Sequence, residues 1–352
     1  MAAASLGESV AAGTSRTTGV TPAAGRAVRQ LRYGGPEVLD VTRQPAPVPA
    51  CGQVRVGVHA ASLNARDWHV MRGEPRVARL LDRGTFGRRA PRELVRGTDL
   101  AGIVDAVGDG VTRWKVGDPV FGEGSGAFAD YALASEDQLW VIPAGVSFAE
   151  AASLPLAAST AVLCLDETGL GEGGSVLING ASGGVGTFAV QLAKTLGSYV
   201  TAVVSPRNAD LARSLGADEV IDYTASDFTR AGQTYDAVVD FVGNRTLREL
   251  RATVRPGGRL VLSGGGVAGE GRILGPMRLL MGALAVARLQ PFEIRFPQAV
   301  PTSDGLRRIS QMVESGAVRP VVDQTFALED VTAAIRYMEG THARAKVVIT
   351  VT

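Results

Sequence analysis

The stretch SVLINGASGGVGTFAVQLAKTLG, residues 175–197, decides the fold. SVLIN (Ser175–Asn179) is short, apolar and β-branched, the composition of a buried strand. VGTFAVQLAKTLG (Val185–Gly197) reads as a helix that stops at a C-terminal glycine. Between them, Ala181-Ser182-Gly183-Gly184-Val185-Gly186 follows the pattern A-x-G-x-x-G. Small residues allow a tight strand-to-helix turn. Gly183 lets backbone approach a pyrophosphate, and Gly186 lets the helix lie close on the strand. The free N–H groups and positive dipole end of the helix favour an anion there. The segment 181–186 is therefore a candidate dinucleotide-binding turn. Gly180-Ala181-Ser182-Gly183-Gly184 also matches G-x-S-x-G, the nucleophile elbow of hydrolases, with Asp240 and His342 as the only loosely suitable partners.

Outward from this turn, strand and helix patterns alternate. YVTAVV (199–204), EVIDY (219–223), AVVDFV (237–242) and RLVLSG (259–264) are further strands, and NADLARSLG (208–216) is a helix. The class is α/β, a doubly wound Rossmann sheet of parallel strands. The second strand runs into Val204-Ser205-Pro206-Arg207-Asn208, without the acid that binds the ribose 2′-hydroxyl of NAD. A hydroxyl (Ser205) and a guanidinium (Arg207) suit the 2′-phosphate of NADP instead. Ser263 and Gly264, closing the RLVLSG strand, are counted with the cofactor-binding residues.

On either side of this block the texture is mainly β. VRVGVHA (54–60) alternates, with Val54, Val56, Val58 and Ala60 on one face and His59 on the exposed one. KVVITV (346–351) is a last strand that could complete this second domain. The expected division is a disordered tail over 1–26, a β domain over 27–148, the Rossmann domain over 149–297, and a return to the β domain over 298–352. The stretch FAEAASLPLAASTAVLCLDETG, from residue 148, reads as helix, and the arginine-rich stretch 76–96 as a surface loop with a short helix.

Composition narrows the function. The net charge of the 352-residue chain is +1, which gives nucleic acid or an anionic membrane no field to bind. Two cysteines, Cys51 and Cys164, cannot build a disulfide framework or a Cys-rich zinc site, and point to a reducing, cytoplasmic setting. The apolar run 276–289, broken by Arg278 and Arg288, is too short to span a bilayer and reads as a core or interface helix.

The pieces YGGPEVL, ASLNARDWHVMRG, RGTDLAGIVDAVGDGVTRWKVGDPVFG, GAFADYA, ASGGVG, LGADEVIDY, RPGGRLVL and HARAKVVI together resemble the medium-chain dehydrogenase/reductases, in particular the quinone oxidoreductase-like branch. The resemblance covers about residues 29–351. It implies a GroES-like catalytic domain built from both chain ends, a Rossmann domain between them, and usually a homodimer. Where the zinc alcohol dehydrogenases of the superfamily carry ligands, this chain has Asn64, Gly97-Thr98-Asp99 and Leu156. These are unsuitable donors, so no metal is expected. By the same resemblance, Asn64 is the active-site amide and Thr160 lies at the nicotinamide edge. Tyr223 lies near the adenosine phosphate, and Lys346 is a basic residue that reaches the cofactor, here after Ala345 where relatives usually have Gly. Asp67 is read as structural. His69, five residues after Asn64, is a candidate proton donor. The expected reaction is hydride transfer from NADPH to a small-molecule electron acceptor, a quinone or an α,β-unsaturated carbonyl. The alternatives are an NAD(P)-dependent alcohol or aldehyde dehydrogenase, and an NADPH-binding sensor or scaffold.

Overall fold

The alternation in Gln53–Ser62 is realised as a strand whose Val54, Val56, Val58 and Ala60 are buried. In the computed structural model, which describes residues 24–264, 277–287, 290–297, 302–340 and 343–351, this strand is the centre of a seven-stranded sheet. One side pairs antiparallel with Asp99–Val107, followed by Pro119–Glu123 and Leu139–Val141. On the other side lies the C-terminal strand Lys346–Thr350, antiparallel with Val348 opposite Ser62, and then Val322–Ala327. The last strand thus completes the first domain, as its sequence suggested. His59 departs from expectation: it is half-buried, its ring stacked on Phe148 at 4.2 Å.

The second sheet has six parallel strands in the order Glu219–Asp222, Tyr199–Val204, Ser175–Asn179, Tyr235–Asp240, Val254–Leu262, Glu293–Arg295. Numbered along the chain this is 3-2-1-4-5-6, the doubly wound order. Val176, Leu177 and Ile178 of its central strand are completely buried because both faces are covered. One core cluster joins Val176 and Ile178 to helices Pro155–Thr168 and Gly184–Thr195; another takes Leu177 with Phe228, Val238 and Leu260. The helical stretch from residue 148 is two helices, Phe148–Ala152 and Pro155–Thr168. Pro155 cannot donate to the preceding turn and so starts the second one. The loop 76–96 carries the short helix Ala78–Leu81.

Two expected boundaries move. The strand Ala24–Gln30 begins inside the stretch expected to be tail, because the Arg26 guanidinium is tied to Asp130 (2.7 Å), Glu329 (2.6 Å) and the Val351 carbonyl (2.6 Å). The rest of the expected tail, 1–23, lies outside the described residues. At the other end, helix Ser303–Glu314 puts Leu306 and Ile309 into the core shared with helix Pro155–Thr168. The chain rejoins the first sheet only at Val322, beyond the expected 298.

The two domains are stitched where Ala345 N–H donates to the Ser182 carbonyl at 2.7 Å, pairing residue 345 with Gly183 of the glycine turn. Ala345 adopts φ 65°, a left-handed conformation that a Cβ opposes. Ala345→Gly is expected to stabilise the protein by about 0.5–1 kcal/mol, as relief of that strain outweighs the added chain entropy. A rise of about 1–3 °C in Tm by calorimetry would show it; a fall would mean that the Ala345 methyl packs usefully.

Candidate active site

The glycine turn is built by close approach. Gly180 takes φ 84° so that the chain can leave its strand, and the Gly183 N–H closes the turn on the Gly180 carbonyl at 3.0 Å. A Cβ on Gly186 would overlap that same carbonyl oxygen and stand 2.7 Å from the Ala181 Cα, so only glycine lets helix Gly184–Thr195 cross here. The first N–H groups of this helix have no intrahelical acceptors. The turn sits where strand order reverses, between Ser175–Asn179 and Tyr235–Asp240. There Asn179 Nδ2 donates to Asp240 Oδ1 at 2.9 Å. The same carboxylate oxygen accepts from the Val242 and Gly243 N–H groups at 3.0 Å each, shaping the opposite lip.

A cavity of about 440 Å³ opens there, and nine of the residues singled out in the sequence line it: Asn64, Ser182, Gly183, Gly184, Val185, Gly186, Ser205, Tyr223 and Lys346. Ala181 is buried beneath, its N–H bound to Val203. Five others lie outside the lining. Arg207 is exposed on the turn that follows Ser205, and Thr160 turns its hydroxyl back onto the Leu156 carbonyl at 2.7 Å. The Ser263 N–H binds the Asp240 carbonyl at 3.0 Å, and Gly264 packs against Gly243. His69 is not brought to Asn64. It sits in the last turn of helix Ala65–Arg72, where Nδ1 meets the Glu74 carbonyl at 2.9 Å and the ring abuts Trp68. Five positions along a helix turn a side chain well away from the residue at its N-cap. His69 also lines no part of a second cavity, of about 570 Å³, that begins on the same helix at Arg66 and Asp67.

Asn208 escaped the sequence reading. It is buried, and its Nδ2 donates to Ser182 Oγ at 2.9 Å, tying the glycine turn to the end of the second strand. Its position one residue after Arg207 was the available signal. The bond also bears on the nucleophile-elbow reading, since Ser182 contacts an amide, which is no general base. His342, its proposed base, lies outside the described residues.

At the inner end of the cavity the Lys346 ammonium is buried, donating to Asn64 Oδ1 at 2.6 Å and to the Leu63 carbonyl at 3.0 Å. The buried Asp99 carboxylate is 3.8 Å away, held by Ser62 Oγ (3.2 Å) and Leu156 N–H (3.3 Å). Burial pushes the Lys346 ammonium below its ordinary range and the Asp99 and Asp67 carboxyls above theirs; Asp99 opposes the shift of Lys346, and Lys346 that of Asp99. Asp67 accepts the Asn64 N–H at 2.9 Å, the structural role read for it. An amide, a hydroxyl and an isobutyl group at Asn64, Thr98 and Leu156 do not fit zinc, and an ammonium already bonds the amide oxygen. Among the described residues no three His, Cys, Asp or Glu side chains gather to hold a metal. Burial pushes the Cys164 thiol up to about 12, so it stays a neutral thiol near neutral pH.

A glycine turn at a switch point, its cavity closed by residues of a second, β domain, defines a nicotinamide-dinucleotide oxidoreductase. The family model described as alcohol dehydrogenase GroES-like domain matches residues 50–144, and that described as zinc-binding dehydrogenase matches 215–349. The chain is 30% identical over 344 residues to the chloroplast envelope quinone oxidoreductase homolog of Arabidopsis thaliana, covering 93% of this chain and 99% of that one. It is 33% identical over 334 residues to the NADPH-dependent alkenal/one oxidoreductase of the same plant, covering 90% and 77%. The structure of the quinone oxidoreductase from Coxiella burnetii superposes with a TM-score of 0.82 at 28% identity, covering 94% and 100%. The chain belongs to the medium-chain dehydrogenase/reductase superfamily, in its quinone oxidoreductase-like branch, and is an NAD(P)H-dependent oxidoreductase.

Two outcomes test this geometry. Gly186→Ala should cost about 1–3 kcal/mol in denaturant unfolding, through the forced separation of helix and strand. It should also weaken nicotinamide-dinucleotide binding at least tenfold by fluorescence titration. A neutral result would remove the close-approach argument. In a thiol titration at pH 8, the exposed Cys51 should react at once and Cys164 only after unfolding; two fast thiols would contradict the burial.

Proposed function

We propose that the protein is an NADPH-dependent, zinc-independent reductase of quinones or α,β-unsaturated carbonyl compounds. The observation that carries the reading is the end of the second strand: Ser205 lines the cavity and Arg207 follows it, with no acid to receive a ribose 2′-hydroxyl. The NADPH-dependent alkenal/one oxidoreductase and the quinone oxidoreductase homolog from Arabidopsis thaliana point the same way by name.

When bound, NADPH would supply the hydride, the hard step of the chemistry. The protein's part is orientation and charge. The turn 181–186 and the N-terminus of its helix hold the pyrophosphate. Ser205 and Arg207 take the 2′-phosphate, and Tyr223 flanks the adenosine side. Thr160, Ser263 and Gly264 belong to the shell behind the nicotinamide end. Asn64 faces the acceptor, and its amide N–H steadies the oxygen on which negative charge develops. A conjugated acceptor delocalises that charge, so no Lewis acid is required, and the donor set at Asn64, Thr98 and Leu156 offers zinc no site. With His69 outside the cavity lining, the proton is taken from water.

Among the described residues no helix is long and apolar enough to cross a membrane. We place the protein in a reducing, cytoplasmic setting, in keeping with two unpaired cysteines. We also read it as a homodimer: Met281 and Leu284, more than half exposed on helix Met277–Val286, offer apolar surface for a second copy. Sedimentation at the monomer mass would exclude that.

The deciding experiment titrates metal-stripped protein with NADPH and NADH by nicotinamide fluorescence. NADPH should bind at least about tenfold tighter, a difference of roughly 1.4 kcal/mol, and Arg207→Ala should abolish the preference. Equal binding of the two would overturn the cofactor assignment. Turnover of a quinone and enone panel should survive dialysis against chelator; its loss there would overturn zinc independence.

A further inference from the structure

Lys346 stands where the resemblance implies a cofactor contact, and its stem does lie against the glycine turn: a Cβ on Gly184 would come within 2.9 Å of Lys346 Cδ. The ammonium, however, is turned past the turn and into the protein. It is 2% exposed and bonded to Asn64 Oδ1 and the Leu63 carbonyl, with the Asp99 carboxylate at 3.8 Å as counter-charge. Burying an ammonium is costly even with a counter-charge at that distance, and a methionine would fill the same space at less expense. A stability role alone does not account for it.

A carboxamide has two nearly isosteric orientations, exchanging its oxygen and nitrogen, and its neighbours decide between them. An ammonium can only donate. At 2.6 Å from Asn64 it admits the oxygen and rejects the NH₂ group. Asn64 Nδ2 is left with no partner at bonding distance, leaning toward Asp99 without reaching it. That nitrogen is itself buried, and it is the end of this cavity-lining side chain that no bond fixes.

We propose that Lys346 is a positioning residue: its ammonium pins the carboxamide oxygen of Asn64, so that the amide nitrogen is the end kept for the acceptor. Asp99, itself fixed by Ser62 and Leu156, holds the ammonium in place. The bond from Ala345 N–H to the Ser182 carbonyl sets the backbone from which Lys346 springs. This rests on the reading of Asn64 as the amide that faces the acceptor. It differs from a phosphate contact in what the lysine controls: the orientation of a neighbour, with little effect on cofactor affinity.

The test is a double-mutant cycle on the full chain, reading NADPH affinity by fluorescence and hydride transfer by single-turnover absorbance, for Lys346→Met, Asn64→Ala and the pair. Lys346→Met should leave the NADPH Kd within about threefold, slow hydride transfer at least tenfold, and add nothing further in the Asn64→Ala background. Lys346→Arg, which keeps a donor-only cation, should recover part of the rate and guards against a Met variant that misfolds. A Kd raised tenfold or more, with additive losses of rate, would make Lys346 a cofactor ligand and overturn the proposal; so would unchanged transfer. A second readout needs neither cofactor nor activity. In cofactor-free protein labelled with ¹⁵N-asparagine, the side-chain NH₂ pair absent from Asn64→Ala should shift in Lys346→Met. An unmoved pair would deny the contact. If the wild type reduces no acceptor at all, the proposed function fails, while this spectrum still decides whether Lys346 holds Asn64.

Discussion

The approach of Gly186 to the Gly180 carbonyl oxygen, too close for any Cβ, sets the position of everything at this site. Because the helix Gly184–Thr195 crosses its strand at that distance, its first N–H groups converge on one point above the sheet. Asn208, reaching from the end of the next strand to Ser182 Oγ, and Asp240, collecting the N–H groups of Val242 and Gly243, fix the two walls that face that point. A side chain at position 186 would lift the helix, and both walls would lose their reference.

The second constraint is closure of the β domain by the far end of the chain. Lys346–Thr350 pairs with Gln53–Ser62, so Lys346 and Asn64 become neighbours although 282 residues separate them. The same strand is preceded by Ala345, bonded to the glycine turn. One short segment thus touches the dinucleotide turn, completes the catalytic domain's sheet and delivers a cation to the inner end of the cavity. The arrangement explains why a strained φ at Ala345 persists: several contacts over-determine that backbone.

The inner end of the site is a small electrostatic system shielded from water. Lys346, Asp99 and Asp67 are buried together, and desolvation moves each toward neutrality, while the attraction of Lys346 for the two carboxylates and the hydrogen bonds of those carboxylates resist it. In such surroundings fixed dipoles act strongly, which suits stabilisation of a developing oxyanion without a metal. The same low polarity makes the orientation of one amide consequential.

How far the sequence reaches can be judged residue by residue. It determined the doubly wound sheet and the glycine turn, because a β-branched strand, A-x-G-x-x-G and an amphipathic helix are local patterns that only a few backbone geometries satisfy. It also determined the absence of an acid after Val204, since that depends on a single strand end. It mislaid the start of the first strand and the return at Val322, because Arg26 and helix Ser303–Glu314 are held by partners distant in sequence. It offered His69 by its spacing from Asn64, but five residues of helix carry the ring away to Glu74. Asn208 and the direction of the Lys346 ammonium were legible only in three dimensions. Their meaning lies in which atom each side chain meets, and tertiary packing decides that by choosing among conformations the local sequence leaves equal in energy.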